Sequence, residues 1–190
     1  YVTRAHAGTA AASTVPRTPI EPAATPTPAP QAAPAPDFTW RATTDFTAVD
    51  DPALARAYLE TKAPDPALHG FAVDPMQFQD RFAAAELRFN GPTGTYTLVL
   101  LAVAEEDGES VYRLAINGVE LPARVNPTTA EKRKPVRHRW SGIALRTGDR
   151  VTVCFAGRSN RTIPERGGFA WSRGRWRLLE ASREASPDKP

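Results

Sequence analysis

Residues 94–121, GTYTLVLLAVAEEDGESVYRLAINGVEL, decide the fold class. Thr95 to Ala104 is apolar on both sides through its middle, the pattern of a strand covered on two faces. A charged loop, Glu105-Glu106-Asp107-Gly108-Glu109, interrupts it, and Val111 to Ile116 then leads into Asn117-Gly118 and Val119-Glu120-Leu121. An Asn-Gly pair between apolar strands specifies a tight hairpin, because both central residues of a type I′ turn need positive φ. The stretch therefore predicts a central strand followed by an antiparallel hairpin.

Working outward, the same period of two recurs. Ala85, Leu87 and Phe89 alternate with Glu86, Arg88 and Asn90, and Gly91-Pro92-Thr93-Gly94 forces a turn. Downstream, Ile143-Ala144-Leu145 precedes the polar turn Arg146 to Asp149, after which Val151, Val153 and Phe155 share one face. Phe169 to Trp171 and Arg175 to Leu179 are expected to supply the last strands, and Phe38 to Phe46 the first. Helical spacing is confined to Asp51–Lys62, where Asp51 would cap, Pro52 would open the first turn, and Leu54, Tyr58 and Leu59 would share a side. Many short strands with one short helix predict an all-β antiparallel sandwich.

Composition divides the 190 residues. Residues 1–36 hold 8 of the 19 prolines, 11 alanines and 6 threonines, and only Arg4, Arg17 and Glu21 are charged there. Such a segment buries too little apolar surface to offset the entropy of ordering it, and its Thr-Pro and Ala-Pro steps favour extended geometry. It is expected to be a disordered linker or stalk, with the sandwich over 37–182 and a disordered tail over 183–190.

No apolar run approaches the roughly 20 residues of a membrane span, and no secretory signal is recognisable in residues 1–36. The chain begins at Tyr1 and its single methionine is Met76, so an initiator, and with it a signal or anchor, is expected upstream. Cys154 is the only cysteine, which excludes an internal disulfide and a cysteine zinc cluster; inside the run Val151–Phe155 it is expected to be a buried structural thiol. Neither His6, His69 nor His138 stands at a recognised spacing from a nucleophile, and no G-x-S-x-G, H-E-x-x-H or phosphate loop occurs.

The formal net charge of +3 conceals an asymmetry: residues 37–120 carry 6 basic and 14 acidic side chains, and residues 121–190 carry 16 and 6. The two halves are expected to pair across a compact fold, with a basic surface for an anionic partner as the alternative. The run Lys132-Arg133-Lys134 with Arg137, His138 and Arg139 lacks interleaved aromatics apart from Trp140 and any nucleic-acid-binding signature, so it is expected to be an exposed loop and no nucleic-acid partner is expected.

Three phrases carry a resemblance when taken in order: GTYTLVLLAVAEEDGESVYRLAING, GIALRTGDRVTVCF and SNRTIPERGGFAWSRGRW. Over about residues 80–180 the chain resembles the jelly-roll carbohydrate-binding and galactose-binding-like β-sandwich modules of secreted bacterial polysaccharide-active proteins. The resemblance implies a non-catalytic, extracytoplasmic accessory module whose partner is a glycan, neutral or anionic, beside an upstream domain or anchor. It also raises structural calcium. The acidic turn Glu105–Glu109 offers hard oxygens but lacks the alternating spacing of a dedicated calcium loop, so a solvated turn is expected there.

Sugar binding on a rigid sandwich needs an aromatic face for the C–H side of a pyranose and polar forks for its hydroxyl or acidic groups. Arg158 to Arg177 contains both. A strand over Gly174–Leu178 would put Arg173, Arg175 and Arg177 on one face and Trp176 in the core, the arginines either binding carboxylate or sulfate or pairing with acidic residues of the first half. The candidate ligand-binding residues are Trp171, Arg173, Asn160, Glu165, Arg166 and Arg175. Asn160-Arg161-Thr162 is formally a glycosylation sequon. The sequence thus predicts a carbohydrate-binding module; a structural or protein-interaction sandwich is the alternative, and a glycan-active enzyme the third.

Overall fold

A computed structural model describes residues 35–49, 56–58, 69–75, 79 and 81–185. The stalk expected over 1–36 lies outside these residues except for Ala35 and Pro36, as does the end of the expected C-terminal tail. The described chain begins with β1 (Phe38–Arg41), a single turn α1 (Ala42–Asp45), β2 (Thr47–Ala48), β3 (Arg56–Tyr58) and β4 (Gly70–Ala72). The longer elements follow: β5 (Ala83–Arg88), β6 (Gly94–Ala104), β7 (Val111–Ile116), the short β8 (Val119–Glu120) and β9 (Arg124–Val125), then β10 (Lys134–Leu145) and β11 (Arg150–Ala156). A small hairpin of β12 (Pro164–Glu165) and β13 (Gly168–Phe169) precedes β14 (Trp176–Arg183).

Two antiparallel sheets face each other. One has the order β10-β6-β14, with β1 and β4 both on the far side of β14 and β3 beyond β4. The other runs β2-β5-β11-β7, with β8 and β9 both on β7. The alternation of each strand accounts for the core between them. Leu98 and Leu100 of β6, Leu114 of β7, Val151, Val153 and Phe155 of β11, and Trp176, Leu179 and Ala181 of β14 turn inward and are buried. Trp176 is the hub of an aromatic cluster, edge-on to Phe46 at 4.9 Å and within 6 Å of Phe71 and Phe155. The all-β antiparallel sandwich expected from the sequence is the observed fold, and Asn117 (φ 51) and Gly118 (φ 86) form the expected hairpin between β7 and β8.

Five expectations are corrected. The helix is Ala42–Asp45, inside the segment expected to be a strand, while Arg56–Tyr58 of the expected helix pairs with Gly70–Ala72 as β3; the rest of 51–62 lies outside the described residues. The basic run is not wholly a loop. From Lys134 on it is an edge strand, with Arg137 and Arg139 outward and His138 and Trp140 inward. The folded unit passes residue 182, because β14 reaches Arg183 and the Glu184 carboxylate accepts from Gly142 N–H at 2.8 Å and Thr97 Oγ1 at 2.7 Å. Cys154 is half-buried on β11, on the face opposite Val153 and Phe155. Finally β14 begins at Trp176, so Arg173 and Arg175 precede the strand and do not share a strand face with Arg177.

Candidate functional site

The residues singled out between 158 and 175 lie on the connection from β11 to β14, and glycines set how closely it packs. A Cβ built on Gly108 would overlap the carbonyl oxygen of Arg158, and one built on Gly157 would overlap that of Ser172. Between these contacts sit two fully buried serines. Ser110 Oγ donates to Ser172 Oγ at 2.7 Å, Ser172 Oγ to the Arg158 carbonyl at 2.9 Å, and Gly174 N–H to Ser110 Oγ at 3.1 Å. The acidic turn after β6 and the long connection are thereby fastened along their inner sides.

Asn160 fastens the outer side. Its Nδ2 donates to the Glu106 carbonyl at 2.9 Å, its backbone N–H to the Asp107 carbonyl at 3.2 Å, and its Oδ1 accepts from Thr162 N–H and Oγ1. With its amide spent on loop contacts, Asn160 shapes the connection, and it does not line the pocket beyond it.

That pocket has a volume of about 470 Å³ and opens beside the β12–β13 hairpin, with Ser159, Arg161, Glu165, Arg166, Phe169 and Trp171 among its lining residues. Trp171 is half-buried, whereas Phe169 is 42% exposed, an arrangement that leaves aromatic surface available to a flat apolar partner. Arg166 (φ 44) and Gly167 (φ 81) make the hairpin tip, and Arg161 (φ 58) also lines the pocket. Arginine seldom adopts this left-handed conformation, which costs about 1–2 kcal/mol per non-glycine residue. At Arg166 the two-residue turn between β12 and β13 imposes that conformation.

Arg173 and Arg175 line a second pocket of about 210 Å³ with Glu105, Glu106, Asp107, Lys132 and Arg133. Trp171 and Arg173 thus serve different pockets on either side of the buried Ser172. Arg173 is exposed, but Arg175 is only 8% exposed and its Nε lies 3.3 Å from Glu105 Oε1. Burial pushes the Glu105 carboxyl up, against the opposing pull of the Arg175 charge and the Arg173 N–H; burial likewise pushes Asp107 up. The turn is accordingly not the solvated acidic loop its composition suggests.

Nor does the turn suit a divalent cation. Calcium takes about 6–8 oxygens, several of them carboxylate. Here one Glu105 oxygen faces a guanidinium, the other accepts Arg173 N–H at 2.7 Å, and Glu106 faces Lys132 Nζ at 3.6 Å. Among the described residues no group of three or more His, Cys, Asp or Glu side chains is arranged to hold a metal.

Of the six candidates, then, the structure brings Trp171, Glu165 and Arg166 together, places Arg173 and Arg175 in the neighbouring pocket, and makes Asn160 a brace. Sequence reasoning missed Phe169, Arg161 and Ser159 as pocket residues, and Lys132 and Arg133 as neighbours of Arg173. The Gly-Gly-Phe step was the available signal for Phe169, since an aromatic after a glycine turn has little chain around it to bury it.

Comparison with known proteins agrees with the fold. No family model matches the chain. It is 32% identical over 108 residues to the uncharacterised protein P23 of Formosa agariphila, a match covering 55% of this chain and spanning about a quarter of that protein. The CBM36-1 domain of a multidomain xylanase from the hindgut metagenome of Trinervitermes trinervoides superimposes with a TM-score of 0.53 at 11% identity, over 78% of this chain and 98% of that one. A CBM35 from Paenibacillus barcinonensis gives 0.47 at 13% identity, over 77% and 99%. These two structures are of carbohydrate-binding modules. No helix among the described residues is long and apolar enough to cross a membrane.

Proposed function

We propose that this chain is a non-catalytic carbohydrate-binding module acting outside the cytoplasm, held by the Ala/Pro-rich residues 1–36 at a distance from an anchor or a partner domain. The observation that carries the reading is the pocket in which Phe169 and Trp171 offer aromatic surface beside Arg161, Glu165 and Arg166. An aromatic face suits the C–H side of a pyranose, Glu165 accepts from hydroxyl groups, and the two guanidiniums offer paired donors to a carboxylate or sulfate. The ligand class is accordingly an anionic polysaccharide. Likeness of fold to a carbohydrate-binding domain supports the assignment but identifies no sugar.

Affinity electrophoresis through gels containing neutral, uronic and sulfated polysaccharides tests the site. Trp171→Ala should weaken retention by roughly 10-fold, the equivalent of about 1.4 kcal/mol, with an unchanged melting curve. Arg166→Ala should reduce retention on uronic and sulfated gels more than on any neutral one. Equal retention of Trp171→Ala and parent on every gel would overturn the site.

The alternative, a structural or protein-interaction sandwich, draws on the internal pairing of several arginines, including Arg175 with Glu105, Arg137 with Glu180 and Arg150 with Glu86. No retention of the parent on any gel would favour it.

A further inference from the structure

The acidic turn concentrates hard oxygen ligands, yet its inner side is occupied by a guanidinium. The Arg175 and Glu105 side chains are 9% and 12% exposed, so this is a desolvated ion pair, whereas in the pairs made by Arg137, Arg150 and Lys132 the cation is exposed. One carboxylate does two jobs. Its Oε1 faces Arg175 Nε, and its Oε2 accepts the backbone N–H of Arg173. Glu105 therefore grips the chain on both sides of Gly174, whose positive φ of 58 disfavours a side chain and where an added Cβ would come within 3.0 Å of the Ala156 backbone.

The backbone of Arg175 is fixed as firmly. Its carbonyl accepts the buried Tyr112 hydroxyl at 2.7 Å and its neighbour Trp176 is fully buried. The guanidinium is thus anchored from the core, and it reaches outward to a turn that also contains Asp107, which lines the same pocket. Arginine suits the position because its guanidinium is more weakly hydrated than an ammonium group and presents a planar fork of donors to a carboxylate.

We propose that Arg175 is the built-in cation of this turn, balancing Glu105 and Asp107 in place of a bound metal ion, and so positions Arg173. It is a positioning residue. Its bearing on glycan retention rests on the function proposed above; its bearing on the turn does not.

Thermal melts with calcium chloride at about 5 mM or with EDTA test the turn alone, since calcium stabilises only a fold that binds it. The parent should melt within about 1 °C in the two buffers. Arg175→Met should lose roughly 6–15 °C in EDTA, because a buried carboxylate is left without its partner, and should regain part of that loss in calcium. Arg175→Lys, which keeps the charge, should lose less and show no calcium response. The double variant Glu105→Gln/Arg175→Met should melt above Arg175→Met, since removing both charges relieves the orphaned acid. If Arg175→Met does not fold, folding of the double variant supports the proposal and its failure overturns it. A calcium-induced rise in the parent's melting temperature, or a double variant no more stable than Arg175→Met, also overturns it. Glycan gels run with and without EDTA then read the dependent claim: parent retention that is present but lost in EDTA would refute metal independence, whereas no retention in either buffer would refute the glycan reading.

Discussion

Gly108→Ala and Gly157→Ala should each destabilise the fold by about 3 kcal/mol, although each adds a single methyl group. The reason is what the methyl meets. On Gly108 the new Cβ overlaps the Arg158 carbonyl oxygen, sits 2.6 Å from the carbonyl carbon and 3.0 Å from Ser172 Oγ; on Gly157 it overlaps the Ser172 carbonyl and lies 3.3 Å from Pro75 Cβ. Backbone cannot swing aside like the end of a lysine, so at Gly108 the β11–β14 connection must lift away from the acidic turn, and at Gly157 the two ends of that connection must part. Lifting it breaks the bonds through Ser110, Ser172 and Asn160 together. In a domain of this size the loss corresponds to a fall in melting temperature of roughly 6–12 °C. Gly118→Ala and Gly148→Ala provide the comparison. Both positions have positive φ but nothing within 4 Å of the added Cβ, so only the conformational cost of about 1–2 kcal/mol applies. Melting curves that put Gly108→Ala and Gly157→Ala level with this second pair would show that the connection is looser than its contacts indicate. Because Trp171 and Phe169 ride on the same connection, glycan retention should fall with stability in the first pair and survive in the second.

The hairpin at Asn117-Gly118 and the alternation of Val151, Val153 and Phe155 were legible in the sequence because each is dictated within a few residues, by turn chemistry or by the two-residue period. Strand β10 has the same period, with His138 and Trp140 inward, but five cationic residues from Lys132 to Arg139 hide it behind a charge pattern that reads as loop. At Arg56–Tyr58 pairing with β4 prevails over a local helical spacing, as tertiary contact commonly does over propensity. The single turn α1 is too short to show any period. The site was legible in composition but not in arrangement. Trp171, Glu165 and Arg166 converge because of a two-residue turn at Arg166-Gly167, whereas the burial of Arg175 is decided by a carboxylate 70 positions away, which no local pattern can announce. Asn160 looked like a sugar ligand because asparagine serves sugars and turns alike; only the Glu106 and Asp107 carbonyls beside it distinguish the two.

Acidification should destabilise the protein through His138, a residue whose sequence neighbours suggest solvent. The imidazole is 7% exposed, 5.2 Å from the Tyr112 ring, with Nε2 2.8 Å from Asn126 Oδ1. Asn126 is itself oriented, since its Nδ2 donates to the Val103 carbonyl at 2.9 Å, so Oδ1 must accept and His138 must carry its proton on Nε2. Burial, and secondarily the charge of Arg124, pushes the imidazole down to about 4. The unfolded chain titrates near 6.5, so between these two values the unfolded state binds a proton that the folded state does not. The stabilisation is complete above about pH 6.5 and is lost as pH falls through 4, by roughly 2–3 kcal/mol. Glu105 and Asp107 act in the opposite sense. Their raised carboxyls take up protons in the fold before they do in the unfolded chain, so acidification favours the fold through them. Asp149, held low by Asn117 Nδ2 and Arg146 N–H, and Glu184, held low by Gly142 N–H and Thr97, begin to lose their contributions as pH falls through the ordinary carboxylate range and finish losing them below it. A variant isolates the histidine from all four. His138→Gln keeps an N–H donor for Asn126 and removes the titration, so the stability difference between parent and variant in denaturant melts should shift by roughly 2–3 kcal/mol in the variant's favour from pH 7 to pH 4. A constant difference across that interval, or an imidazole NMR titration of the folded protein centred near 6.5, would mean that water reaches His138 and that the inner face of β10 is open.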